Sequence, residues 1–143
     1  MLDSVLNKKD SLERCIQQIH RYYTLPSDKP FTEDFMKQDA ISVNLQRAAQ
    51  LCIDLANITI RRGKLGLPKD SSDSFSLLVE AGIIDKTMGL HLKGMVGFRN
   101  VLVHEYTKLD LSIMVDVIEN HLDELIVPNL FSYNSRMTTF EHC

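Results

Sequence analysis

Arg99-Asn100-Val101-Leu102-Val103-His104-Glu105-Tyr106 puts a guanidinium, an imidazole and a phenol into what otherwise reads as a buried apolar helix. The seam leading into it runs Met88, Leu92, Met95, then Leu102 and Leu109, in helical steps of three, four and seven. Positions 99 and 106 complete the series, and they carry Arg99 and Tyr106 where the pattern expects leucine. On one continuous helix the two would stand one above the other, about two turns apart. A charge sealed in a core without a partner costs several kcal/mol. The seam therefore faces a cleft or a subunit interface at that height, unless Arg99 is paired with a buried carboxylate such as Asp54 and His104 is a hydrogen-bonded core histidine.

His104 lies five residues beyond Arg99, about 140° around an ideal helix, so one copy brings the two groups together poorly. A second copy of the helix packed alongside would supply its own pair. Gly94 and Gly97 favour that arrangement, since each costs up to about 1 kcal/mol inside a helix unless another backbone comes close.

Upstream, Leu2, Val5, Leu12, Ile16, Ile19 and Tyr23 predict a first helix over 2–23, before Pro26 and Pro30 break the chain. Ile41, Leu45, Ala48, Cys52, Leu55 and Ile58 predict a long second helix from an N-cap at Thr32 to Arg62, with Gly63 following. A loop over 63–72, a short third helix from Asp73 to Ala81 ended by Gly82, and a fourth capped by Asp85 and running to about Lys108 come next. Asp110 caps a fifth helix, closed by Pro128; residues 129–143 form a tail with no assignable pattern. No alternating run argues for a strand. The expected fold is all-α, an up-and-down bundle of five helices in one domain over residues 1–143.

With 143 residues, 44% hydrophobic and 24% charged, the chain can bury a proper core. A net charge of −3 argues against a general DNA-coating protein but leaves room for one local RNA groove. Cys15, Cys52 and Cys143 are odd in number and unpaired in spacing, which points to a reducing, cytoplasmic setting. No window approaches about 18 uninterrupted apolar residues, so no membrane span is expected. His20, His91, His104, His121 and Glu105 include no HExxH or paired Cys/His spacing, so neither a metal site nor a cofactor is expected. Arg61, Arg62, Lys64 and Lys69 read as a solvated helix end, and Cys52 as a small core residue.

The stretch Met95 to Tyr106 resembles the R-x4-6-H-x-Y signature of HEPN-domain proteins, and more narrowly the HepT toxins paired with MNT-type minimal nucleotidyltransferase antitoxins. Asp39-Ala40, Asn44-Leu45-Gln46-Arg47-Ala48 and Cys52-Ile53-Asp54-Leu55-Ala56 are similar to the second-helix pattern of that group, and Phe75 to Ile84 to its short third helix. The resemblance implies a HEPN-type fold and a metal-independent endoribonuclease toxin of a type VII-like toxin–antitoxin module. It implies a homodimer whose cleft is lined by the motif from both subunits, with tRNA or mRNA as substrate and an MNT nucleotidyltransferase as antitoxin. His104 would then be the general acid/base, Arg99 the phosphate clamp and Asn100 a positioning residue. Tyr106 would be where the antitoxin attaches AMP. Metal-free RNA cleavage needs a base for the 2′-OH, an acid for the leaving oxygen and a cation for the phosphorane, and two copies of the motif supply all three. The alternative is a non-catalytic HEPN module that binds a nucleotide or the partner transferase in the same cleft.

Overall fold

In a computed structural model, the structure describes residues 2–141 of the chain; Cys143 lies outside them. Among the described residues six α-helices and three 3-10 turns account for the regular structure, and no strand is present. The helices are α1 (Leu2–Thr24), α2 (Phe35–Gly63), α3 (Ser71–Glu80), α4 (Lys86–His104), α5 (Leu111–Asn120) and α6 (Pro128–Glu141). Single 3-10 turns occupy Phe31–Glu33, Tyr106–Lys108 and Leu122–Leu125.

The expected count of five helices is short by one. The tail folds into α6 and packs on α1 and α2. Its pattern is illegible in the sequence because its central core residue is polar: Asn134 is fully buried, donating to Thr59 Oγ1 and to the Leu130 carbonyl, each at 2.8 Å. Arg62 Nη1 donates to Asn134 Oδ1 at 2.8 Å, so Arg62 is not the solvated cation that its sequence neighbours suggest. Arg61, Lys64 and Lys69 are exposed.

α2 begins later than expected. Asp34, not Thr32, is its N-cap, accepting from the Lys37 amide at 3.1 Å, while Thr32 lies in the preceding 3-10 turn. α2 also ends one residue later, with Gly63 inside the helix and Lys64 in the left-handed conformation at φ 53°. Gly63 is needed for proximity: a Cβ there would sit 2.4 Å from the Tyr133 hydroxyl of α6. α3 starts at Ser71 because Asp70 accepts from the Asp73 amide at 2.8 Å. α5 is shorter than expected, giving way after Asn120 to the 3-10 turn at Leu122–Leu125.

The core is continuous. Val5, Leu12, Ile16 and Ile19 of α1 meet Ile41, Leu45, Ala48, Cys52, Leu55 and Ile58 of α2, and Phe75, Leu92, Leu102, Met114 and Ile118 close it from the other helices. Cys52 is part of this core, and burial pushes its thiol up to about 12, which leaves it a small unreactive hydrophobe. α3 and α4 cross closely at Gly89, where an added Cβ would lie 2.5 Å from Val79 Cγ2. Among the described residues no helix is long and apolar enough to cross a membrane.

Candidate active site

α4 is the element that carries the chemistry, and it stops at His104. The continuous helix to Lys108 is not formed: Glu105 leaves helical geometry, and Tyr106 starts a 3-10 turn closed by Lys108 N–H to the Glu105 carbonyl at 2.8 Å. Tyr106 therefore does not stand above Arg99 on one helix face. Its hydroxyl donates instead to Asp39 Oδ1 on α2 at 3.1 Å. The chain must turn before Asp110 caps α5, and this bond to α2 anchors the turn.

Arg99 keeps the place that the seam assigns it, half-buried between Met95 and Leu102 and facing α2. Its Nη2 donates to Gln50 Oε1 at 3.0 Å, and its Nη1 to Asn100 Oδ1 at 3.3 Å. Gln50 in turn donates from Nε2 to Asp54 Oδ1 at 2.9 Å. Asp54 reaches Arg99 only through this amide, and its own ion pair is with Lys8 at 3.8 Å. The alternative of a buried Arg99–Asp54 pair is thus not what forms. Among the described residues no carboxylate pairs with Arg99, and its buried Nε has no hydrogen-bond partner. A guanidinium held by neutral amides keeps its charge uncompensated by a carboxylate.

His104 is exposed at the last position of α4, so it is not a core histidine. Asn100 is exposed beside it, one turn earlier. The outward stripe of α4 runs Leu90, Gly94, Gly97, Val101 and His104 at helical spacing. Leu90 is 68% exposed, and a Cβ at either Gly94 or Gly97 would meet nothing within 4 Å. Among the described residues nothing explains glycine at those two positions.

Tyr106 is 37% exposed. Partial burial, and then the hydrogen bond to the Asp39 carboxylate, push its phenol above the ordinary value of 10.0. Behind Gln50, a groove of about 440 Å³ runs between α1 and α2, with Arg14, Cys15, Asn44, Arg47 and Asp54 on its walls. Arg14, Asp39, Arg47 and Gln50 were not singled out as functional from the sequence. Each lies on a helix whose periodicity explains it as surface; only the inter-helix register places Gln50 and Asp39 beside the motif and Arg14 and Arg47 in the groove behind Gln50. The one available signal was that Asp39 and Arg47 fall within the second-helix segments that carry the resemblance.

A family model described as ribonuclease HepT-like matches residues 12–127. The mRNA nuclease HepT of Shewanella oneidensis is 42% identical over 124 residues, which cover 87% of this chain and 92% of that protein. A tri-AMPylated Shewanella oneidensis HEPN toxin, solved in complex with its MNT antitoxin, matches with a TM-score of 0.83 at 38% identity, covering 95% of this chain and 99% of that one. A toxin–antitoxin crystal structure with AMP-PNP gives a TM-score of 0.84 at 39% identity, covering 91% of this chain and 99% of its own. The bundle that positions Arg99 and His104 is accordingly of HEPN type, and the chain belongs to the HepT-like ribonuclease family.

Proposed function

We propose that this chain is a metal-independent endoribonuclease toxin that acts in the cytoplasm as a homodimer and is neutralised when a cognate MNT nucleotidyltransferase attaches AMP to Tyr106. The observation that carries the nuclease reading is the state of Arg99 and His104: a half-buried guanidinium without a carboxylate, five residues before an exposed imidazole at a helix end. The mRNA specificity named for the Shewanella relative makes mRNA the first substrate to try, with tRNA as the second.

The outward stripe of α4 supports the dimer. Packing Leu90, Gly94, Gly97 and Val101 against the same stripe of a second copy buries exposed apolar surface and brings two His104 side chains to one seam. In that cleft one His104 takes the proton from a ribose 2′-OH. The O2′–phosphorus bond forms as the phosphorus–O5′ bond breaks, and the second His104 protonates the leaving O5′. Arg99, on the α2 side of the same helix, stabilises the phosphoryl oxygens from that side as charge builds on them, while Asn100 and Gln50 hold its fork in place. Products end in 2′,3′-cyclic phosphate and 5′-hydroxyl, and DNA resists because it lacks the nucleophile.

Tyr106 fits the modification. Its hydroxyl is accessible and already directed at a carboxylate acceptor, Asp39. Attack of the phenol oxygen on the α-phosphorus of ATP forms the new phosphorus–oxygen bond, expels pyrophosphate and sends the phenol proton toward Asp39. Each AMP adds a negative charge just beyond the C-terminal end of α4, where His104 stands, and so disfavours RNA phosphate there.

The test is cleavage of RNA by the purified chain in EDTA. Arg99→Ala and His104→Ala should each slow cleavage by about 100-fold or more with the fold intact. Unchanged rates in both stable variants would overturn the assignment. A wild-type protein that cuts no RNA but binds the transferase would leave the non-catalytic binding module as the reading.

A further inference from the structure

Twelve ångströms or so along α4 from Arg99, on the N-terminal side, three side chains from separate elements converge: His91 of α4, His121 at the end of α5, and Glu124 of the following 3-10 turn. We propose that they form a binding site for a divalent transition-metal ion of the zinc class, which braces α4 to the α5 end of the bundle and takes no part in RNA cleavage.

The donor atoms of the three residues all lie within 4.8 Å of one another. His91 Nδ1 sits 2.5 Å from Glu124 Oε2, and His121 Nδ1 is hydrogen-bonded to Glu124 Oε1, so both carboxylate oxygens face an imidazole nitrogen. The two rings meet edge to face with centroids 5.4 Å apart. Tetrahedral zinc, at about 2.0–2.1 Å from its ligands, sets donors roughly 3.3 Å apart. Small rotations of these partly exposed side chains are enough to close that figure. Two histidines and one carboxylate form a common zinc set that leaves the fourth position to water.

A further contact independently matches a metal ligand. The remaining nitrogen of His121, Nε2, lies 3.2 Å from Asp116 Oδ2 on α5. A carboxylate on the far nitrogen fixes the ring's orientation and tautomer and leaves Nδ1 with its lone pair toward the metal, the usual outer-shell arrangement for a ligating histidine. Both nitrogens of His121 therefore face carboxylates, and a dication at the centre replaces the Nδ1 protons that otherwise hold the cluster together. One side of the cluster is walled by Leu90, Met95, Phe98 and Val117, which line a groove of about 270 Å³ with the two histidines and limit water there.

The site was illegible in the sequence because its spacing is long: 33 residues separate His91 from Glu124. The experiment is titration of the EDTA-stripped full chain with zinc chloride, read by calorimetry and by thermal melting, with cobalt(II) as a spectroscopic stand-in. One ion per chain is expected, with a melting temperature raised by roughly 5 °C at saturation. Cobalt should give tetrahedral absorption without a thiolate charge-transfer band, which sets aside Cys15 and Cys52. His91→Ala and Glu124→Gln should weaken binding by about tenfold or more, and Asp116→Asn by a similar factor through the ring orientation. His20→Ala and His104→Ala should bind as wild type does. Absence of uptake at about 0.1 mM zinc, or equal uptake by His91→Ala, would overturn the proposal. RNA cleavage by the stripped protein tests the nuclease reading separately, so failure of one leaves the other standing.

Discussion

Arg99 is a cation held by amides. Gln50 and Asn100 give it position without cancelling its charge, and the Gln50–Asp54 bond keeps Gln50 itself in place. Gln50→Ala should therefore act through Arg99: turnover falls by about tenfold, and Arg99→Lys falls further because a point charge cannot replace a planar fork. Equal rates for Gln50→Ala and wild type would remove Gln50 from the site. At Tyr106 the Asp39 carboxylate favours the neutral phenol, so the pair supports the fold below pH ~10 and loses that support as pH rises through the raised phenol value. Asp39→Asn should lower the titration midpoint of Tyr106, read by ultraviolet difference absorption. It should also slow AMP attachment, measured by intact mass with the transferase and ATP. AMP attachment at the wild-type rate would make Asp39 a mere anchor for the turn.

Each helix end depends on a short-range device, and these can be tested apart from the chemistry. At Asp110 the Ser112 hydroxyl and then the Ser112 amide hold the carboxyl below the usual range; at Asp34 the Ser27 hydroxyl and the Lys37 amide do the same. A depressed carboxylate contributes stability above its unfolded value of about 3.9 and loses it as pH falls through the folded value. Wild type and Asp110→Ala should accordingly differ in melting temperature at neutral pH and converge in strong acid; a constant gap would show that the cap's charge contributes nothing. Gly89→Ala, which drives a methyl into Val79, should cost about 1–3 kcal/mol in denaturant unfolding. At this scale the sequence was legible wherever local chemistry decides: the stripes of α1 and α2, and the caps at Asp85 and Asp110, stand as expected. It was illegible where tertiary contacts decide. No glycine or proline stands between Arg99 and Val127 to mark the end of α4, and the bond from Tyr106 to Asp39 does so instead. α6 escaped notice because Asn134 occupies a core position that periodicity reserves for an apolar side chain.

At the scale of the molecule, one chain leaves the requirement for two imidazoles half met. Arg99 and His104 were legible because they interrupt or flank an apolar seam, but their joint use rests on the stripe of α4 where, among the described residues, a Cβ at Gly94 or Gly97 would meet nothing within 4 Å. Gly97→Leu offers a sharp contrast: the helix gains up to about 1 kcal/mol of intrinsic propensity, while the added side chain blocks approach of a second copy. The variant should melt no lower as a monomer, yet light scattering should fall from near twice 16.3 kDa to 16.3 kDa, with RNA cleavage lost. A variant that stays dimeric and active would move the interface elsewhere. The most direct measurement is the RNase rate of a mixed dimer, one wild-type protomer and one His104→Ala protomer, isolated with two different affinity tags. If cleavage uses one imidazole as base and the other as acid, the mixed dimer should be nearly as slow as the doubly substituted one. Half of the wild-type rate would mean that each protomer cuts alone, and the shared cleft would be wrong.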